Sequence, residues 1–299
     1  MPEDLNAGPK ANREFKNSVF TLLFNDVEAI RDIAGAVGAM LGKEINTNTP
    51  IKKTTLQNAL LGGKLNDLSF VLDDKLIVLI EHQSTINKNM PLRMLHYICE
   101  IYNHLYEKKD LYKKEKILIP KPVFIVLYNG EEDIKDFEEY LLSDLFKDFD
   151  IAKEPLFLEL RVLVYNINKG HCVEIVTQSP LLCDYIAFVE EVREIGKQEG
   201  MNPELAMEKA VENCIKKGIL TKFLNNHKEE VMKMLVAEWD YELDMEVAKE
   251  EALEKGLSQG RAEERRKNIQ DLYRIGVGID TIAKAFNLSE RQVKDILGI

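Results

Sequence analysis

With 299 residues, 45% of them hydrophobic and 30% charged, and a formal net charge of −11, the chain has the composition of a globular protein able to bury a full-sized core. No apolar run approaches the length that spans a bilayer, and Met1 to Lys10 has neither the basic nor the apolar region of a secretory leader, so the expected location is the cytoplasm, with no membrane. Cys99, Cys172, Cys183 and Cys214 form no CxxC pair and sit among apolar neighbours, which argues against a zinc site or a disulfide framework and for small buried thiols.

From Arg13 to Leu41 the apolar residues fall at amphipathic-helix spacing, with Asn25-Asp26 as a cap dividing two helices. Leu65 to Leu72 and Leu76 to Gln83 read as two strands around the polar turn Asp73-Asp74-Lys75. Pro91 suits the first turn of a helix that continues from Leu92 to Tyr106. Pro122 to Tyr128 is the next strand, closed by Asn129-Gly130; Leu141 to Phe146 reads as helix and Leu156 to Asn166 as a strand. Everything after Pro180 reads as helix, rich in Glu and Lys. This order predicts an α/β fold with a mixed central sheet flanked by helices, over residues 1–195. A charged helical region, 196–260, and a small helical tail, 261–299, follow.

Chemistry concentrates at the two central strands. Asp67 interrupts a strand-like run, while Glu81 and Gln83 end an apolar one; two apart, they share a face, with His82 on the other. A hairpin loop of odd length places Asp67 across from Glu81, whereas a two-residue loop puts them on opposite faces. Facing carboxylates repel unless a cation lies between them, and a hard divalent ion, Mg²⁺ or Mn²⁺, suits their oxygens, with the His82 backbone carbonyl as a third ligand. Such an ion polarises a phosphoryl oxygen and activates water for hydrolysis, with Gln83 orienting that water or the phosphate. The bland alternative is that these polar groups are solvated where the strands end.

Asn66-Asp67-Leu68-Ser69-Phe70, Ile80-Glu81-His82-Gln83-Ser84-Thr85 and Asn89-Met90-Pro91-Leu92-Arg93 with Tyr97 together resemble the recombination-promoting nuclease family of transposases, as do Pro122 to Gly130 and Leu158 to Asn168. The resemblance covers about residues 15 to 195, with Glu81 to Arg93 its most specific block. It implies a PD-(D/E)xK restriction-endonuclease-like core, metal-dependent cleavage of DNA and a link to recombination or mobile elements. By position, Asp67 and Glu81 correspond to the acidic metal ligands and Gln83 to the place usually held by lysine. An amide there lacks the charge that steadies a phosphoryl-transfer transition state, leaving more to the metal or to Arg93. Upstream, Asn17 stands where the family often has Asp, with Glu14 the nearby acid that would substitute. These departures keep open a weak or inactive nuclease-fold protein that binds DNA or regulates.

Arg93 and Tyr97, four apart on one helix face, suit contact with a DNA backbone, though Arg93 pairing with Glu81 is an equal alternative. His96 and His104 lack a third ligand at metal spacing and read as ordinary surface or packing residues. In the tail, Asp280 to Phe286, a short turn and the helix opened by Ser289 resemble a helix-turn-helix whose second helix presents Glu290, Arg291 and Lys294. So few basic residues also suit packing or a homodimer contact.

Overall fold

The computed structural model describes residues 19–46, 48–54, 67–150, 152–171, 173–196 and 202–299, so Glu14, Asn17 and Cys172 lie outside the described residues. By compactness the chain divides into two units, Met1–Ala237 and Glu238–Ile299.

The first unit opens on α1 (Val19–Leu23) and α2 (Val27–Met40). They are separate helices because Asp26 is extended and its carboxylate accepts the Ala29 N–H at 2.9 Å, satisfying a donor that the helix start would otherwise leave open. The strands follow as β1 (Ile51–Lys53), β2 (Leu68–Leu72), β3 (Leu76–Gln83), β4 (Lys121–Tyr128), β5 (Phe137–Leu141) and β6 (Arg161–Asn166), with α3 (Met90–Leu105) between β3 and β4. Among the described residues they form one mixed sheet in the order β1-β2-β3-β4-β6-β5. β1, β2 and β3 are antiparallel, β3, β4 and β6 run parallel, and β5 returns antiparallel to β6. The apolar runs of β3 and β4 are continuous because these central strands are covered on both faces.

α3 covers one face, burying Met94, Ile98 and Ile101 in a common core with Ile77, Leu79 and Val126. On the other face, Phe20 of α1 and Tyr185 of α5 (Pro180–Gly196) meet His82, and Met40 at the end of α2 meets Tyr165. α4 (Glu174–Thr177) packs between α2 and α5, and α6 (Pro203–Lys217) packs on α5 through Ile195, Ala206 and Ala210. α7 (Thr221–Arg274) is irregular at His227 (φ −125°), and α8 (Ile279–Phe286) and α9 (Glu290–Leu297) complete the second unit. No helix among the described residues is long and apolar enough to cross a membrane.

Three local expectations are corrected. The helix expected from Leu141 to Phe146 is a single 3₁₀ turn, Leu142–Leu145, and the residues before it form the edge strand β5. Glu138 and Glu139 hid that strand, since charges on an exposed edge strand break the apolar alternation; Glu139 instead pairs with Arg161 on β6 at 3.1 Å. The strand expected from Leu156 begins only at Arg161, and Phe157 ahead of it is 92% exposed. Of the thiols, Cys214 is buried, but Cys99 and Cys183 are exposed.

Gly130 fixes how the loops beyond β3 and β4 meet. A Cβ there would run into the Ser84 carbonyl and the Tyr128 ring, and Ser84 directly follows Gln83. Gly130→Ala is therefore expected to push the two loops apart and cost about 1–3 kcal/mol of stability, as overpacking does, measured by urea denaturation.

Candidate functional site

The hairpin between β2 and β3 decides which side chains meet. Asp73 and Asp74 both take left-handed backbone (φ 48° and 49°), a conformation that Asp tolerates better than most residues, and the Lys75 N–H closes the turn on the Leu72 carbonyl at 2.9 Å. Three residues thus separate Leu72 from its partner Leu76, and the ladder continues to Leu68 opposite Ile80. This is the odd-loop register, and one further step sets Asp67 opposite Glu81. The two residues grip each other's strand: the His82 N–H donates to Asp67 Oδ2 at 2.7 Å, and the Asp67 N–H donates to Glu81 Oε1 at 3.3 Å.

Glu81 is only 3% exposed, although it carries a carboxyl group. Its Oε2 accepts from the Arg93 guanidinium at 2.8 Å, and Arg93 also donates to the Tyr97 hydroxyl at 2.9 Å. Burial opposes the charge on Arg93, but Glu81 and Tyr97 beside it outweigh that and hold its pKa above the ordinary value. Burial and the neighbouring Glu81 likewise raise the Tyr97 hydroxyl, so Tyr97 serves as a neutral hydrogen-bonding group. Gln83 turns toward α3, its Nε2 donating to Met90 Sδ at 2.9 Å. Asp67, Glu81, Gln83, Arg93 and Tyr97 therefore gather at the carboxyl end of β3, on the face that α3 covers. Of the two readings of Arg93, the one present is the pairing with Glu81.

His82 faces the opposite layer. Its ring stacks on Phe20 at 4.9 Å and meets Tyr185 edge-on, whose hydroxyl is 3.1 Å from Nε2. Burial among these rings, assisted by the Arg193 charge, pushes its pKa down to about 3, so the imidazole is neutral at ordinary pH. His96 and His104 are exposed, and His104 bonds only to the Glu100 carbonyl in its own helix.

The donor set suits a hard cation. Two carboxyl groups converge here, the guanidinium pairing with that of Glu81, and oxygen donors of this kind favour Mg²⁺ or Mn²⁺. Residue 82 adds a third oxygen by strand parity: its N–H points to the Asp67 side, and the carbonyl of the same residue points that way too. Among the described residues no three His, Cys, Asp or Glu side chains gather at metal-binding distance.

Sequence reasoning missed Tyr185 and Arg193, which reach the carboxyl ends of the strands from α5. Arg193 donates to the Asn129 carbonyl after β4 and to Asn168 after β6. No local pattern marks either residue, because each acts across dozens of positions in sequence.

Residues 70–193 match a family model described as "Putative transposase, YhgA-like". The matched span contains Glu81, Gln83, Arg93 and Tyr97, and Asp67 lies just ahead of it. Comparison with curated proteins and with solved structures returned no match.

Two outcomes are expected from these contacts. Arg93→Met leaves the buried Glu81 without its guanidinium and should destabilise the protein by about 3 kcal/mol, whereas Glu81→Gln combined with Arg93→Met should recover most of that loss in urea melts. The depressed His82 pKa means that the unfolded chain binds a proton below about 6.5 while the native chain does not until about 3. Stability from this group is thus complete above pH 6.5 and declines as the pH falls toward 3, at up to about 1.4 kcal/mol per pH unit. His82→Phe should flatten that part of a stability-versus-pH curve.

Proposed function

We propose, on the premise that residues 70–193 belong to the YhgA-like putative transposases, the group of the recombination-promoting nucleases, that this chain is a metal-dependent endonuclease hydrolysing DNA phosphodiester bonds in the service of recombination or a mobile element. The observation that carries this reading is the convergence of Asp67 and Glu81 from adjacent strands, with Glu81 buried against a guanidinium. A buried carboxyl group costs folding energy, and a solvated strand end would not hold it there.

In this reading Asp67, Glu81 and the His82 carbonyl hold Mg²⁺ or Mn²⁺, which when bound supplies electrostatic stabilisation of the phosphoryl oxygens. Gln83 contributes an amide that positions the attacking water. Arg93, 2.8 Å from the Glu81 carboxylate, supplies the positive charge that lysine provides in related sites, and its planar fork suits a phosphate as well as a carboxylate. The core then corresponds to the PD-(D/E)xK arrangement, in which a mixed sheet presents acidic residues at one strand end.

A second reading, a nuclease scaffold that binds DNA without cutting it, draws support from Gln83, whose amide N–H is engaged with Met90. Plasmid nicking separates the two. With Mg²⁺ or Mn²⁺, the wild-type chain should convert supercoiled DNA to open circle, and EDTA should stop it. Asp67→Ala and Glu81→Ala should each reduce the rate at least about a hundredfold, in keeping with loss of electrostatic stabilisation of the transition state, while circular dichroism stays native. Undiminished nicking by either variant would remove the assignment.

A further inference from the structure

The second unit has a small core of its own in which Ile269 of α7, Ile282 and Ala283 of α8 and Val293 of α9 are buried together. Three residues join α8 to α9, and each has a defined task. Asn287 adopts the left-handed conformation (φ 51°) that ends α8, and the Leu288 N–H returns to the Ala283 carbonyl at 2.9 Å. Ser289 starts α9 with a reciprocal cap: the Gln292 N–H donates to its hydroxyl at 3.2 Å, and its own N–H donates to Gln292 Oε1 at 2.9 Å. Arg265 donates to the Phe286 carbonyl and lies over the Phe286 ring, tying the end of α8 to α7. Ala283 is 5% exposed, and a small side chain in that core lets the helices approach closely. The angle between α8 and α9 is thereby fixed by caps and packing.

With Val293 turned inward, the outer face of α9 carries Arg291, Lys294 and Asp295, all exposed, and Arg291 and Lys294, three apart, lie on one side of it. Charge distinguishes this part of the molecule from the rest. Residues 261–299 hold eight lysines and arginines against six aspartates and glutamates, whereas residues 238–260 of the same unit hold two lysines against eight acids. A helix of eight residues is about 12 Å long, with a width that the major groove of B-form DNA admits. The deep, narrow major groove of duplex RNA does not admit it.

We infer that residues 261–299 form a DNA-docking module in which α8, the turn and α9 act as a helix-turn-helix, with α9 entering the major groove of duplex DNA and Arg291 and Lys294 making the contacts on which affinity depends. This goes beyond the hydrolytic reading and does not rest on it, because the module uses neither Asp67, Glu81 nor a metal.

The test is fluorescence anisotropy of a labelled, random-sequence DNA duplex with the full chain in EDTA, where nicking cannot interfere. The double variant Arg291→Ala/Lys294→Ala should weaken binding about tenfold or more at moderate salt and lower the slope of log affinity against log salt by roughly 2, one for each lost phosphate contact. Glu290→Gln, which removes a negative charge beside Arg291, should tighten binding. Both variants alter exposed side chains, so circular dichroism and sedimentation should match the wild type. Unchanged affinity in the double variant overturns the inference. So does a change in its oligomeric state, which would make this face a protein contact, and so does equal affinity for duplex RNA. A chain that fails to nick DNA with Mg²⁺ yet shows this loss of binding retains the module and loses only the hydrolytic reading.

Discussion

The ion pair between Glu81 and Arg93 is the constraint around which the sheet-bearing first unit of the molecule is organised. A carboxyl group 3% exposed at a strand end needs a partner, and the partner comes from α3, the helix that also covers this face of the sheet. Position and packing therefore depend on each other. α3 cannot shift along the sheet without uncovering either the core residues Met94 and Ile98 or the Glu81 carboxylate.

That arrangement places a cation from the protein beside the acids before any ligand arrives. Arg93 neutralises one of two carboxyl groups, so the cluster tolerates its own burial. Tyr97, kept neutral by its surroundings, holds the guanidinium without competing for it. The proposed hydrolytic role would use both features: the acid pair would hold the metal, and the guanidinium would turn from carboxylate to phosphate.

Much of the fold was legible in sequence wherever one physical rule dominated. The division at Asp26 followed from capping chemistry, the strands Leu76–Gln83 and Lys121–Tyr128 from continuous apolar runs, and the cap at Ser289 from its spacing to Gln292. What escaped was decided by contacts distant in sequence. Edge strand β5 exists because β6 is there to pair with it, and its glutamates carry no strand signal. The site divides in the same way. Asp67, Glu81 and Gln83 stood out as polar groups in apolar strands, and their facing geometry reduced to one unknown, the loop length. The choice of Glu81 as the partner of Arg93, and the ring cage that Phe20 and Tyr185 build around His82, depended on how α1, α3 and α5 dock.

The β2–β3 hairpin carries a consequence for how such chains can diverge. Side chains alternate along a strand, so adding or deleting one residue between Leu72 and Leu76 would leave either the buried apolar set or the acidic pair on the wrong side, unless a bulge absorbed the change. Length variation at this turn is in effect quantised in steps of two. Substitutions at Asp73 and Asp74 leave that count untouched, and drift in their identity is cheap where drift in their number is not.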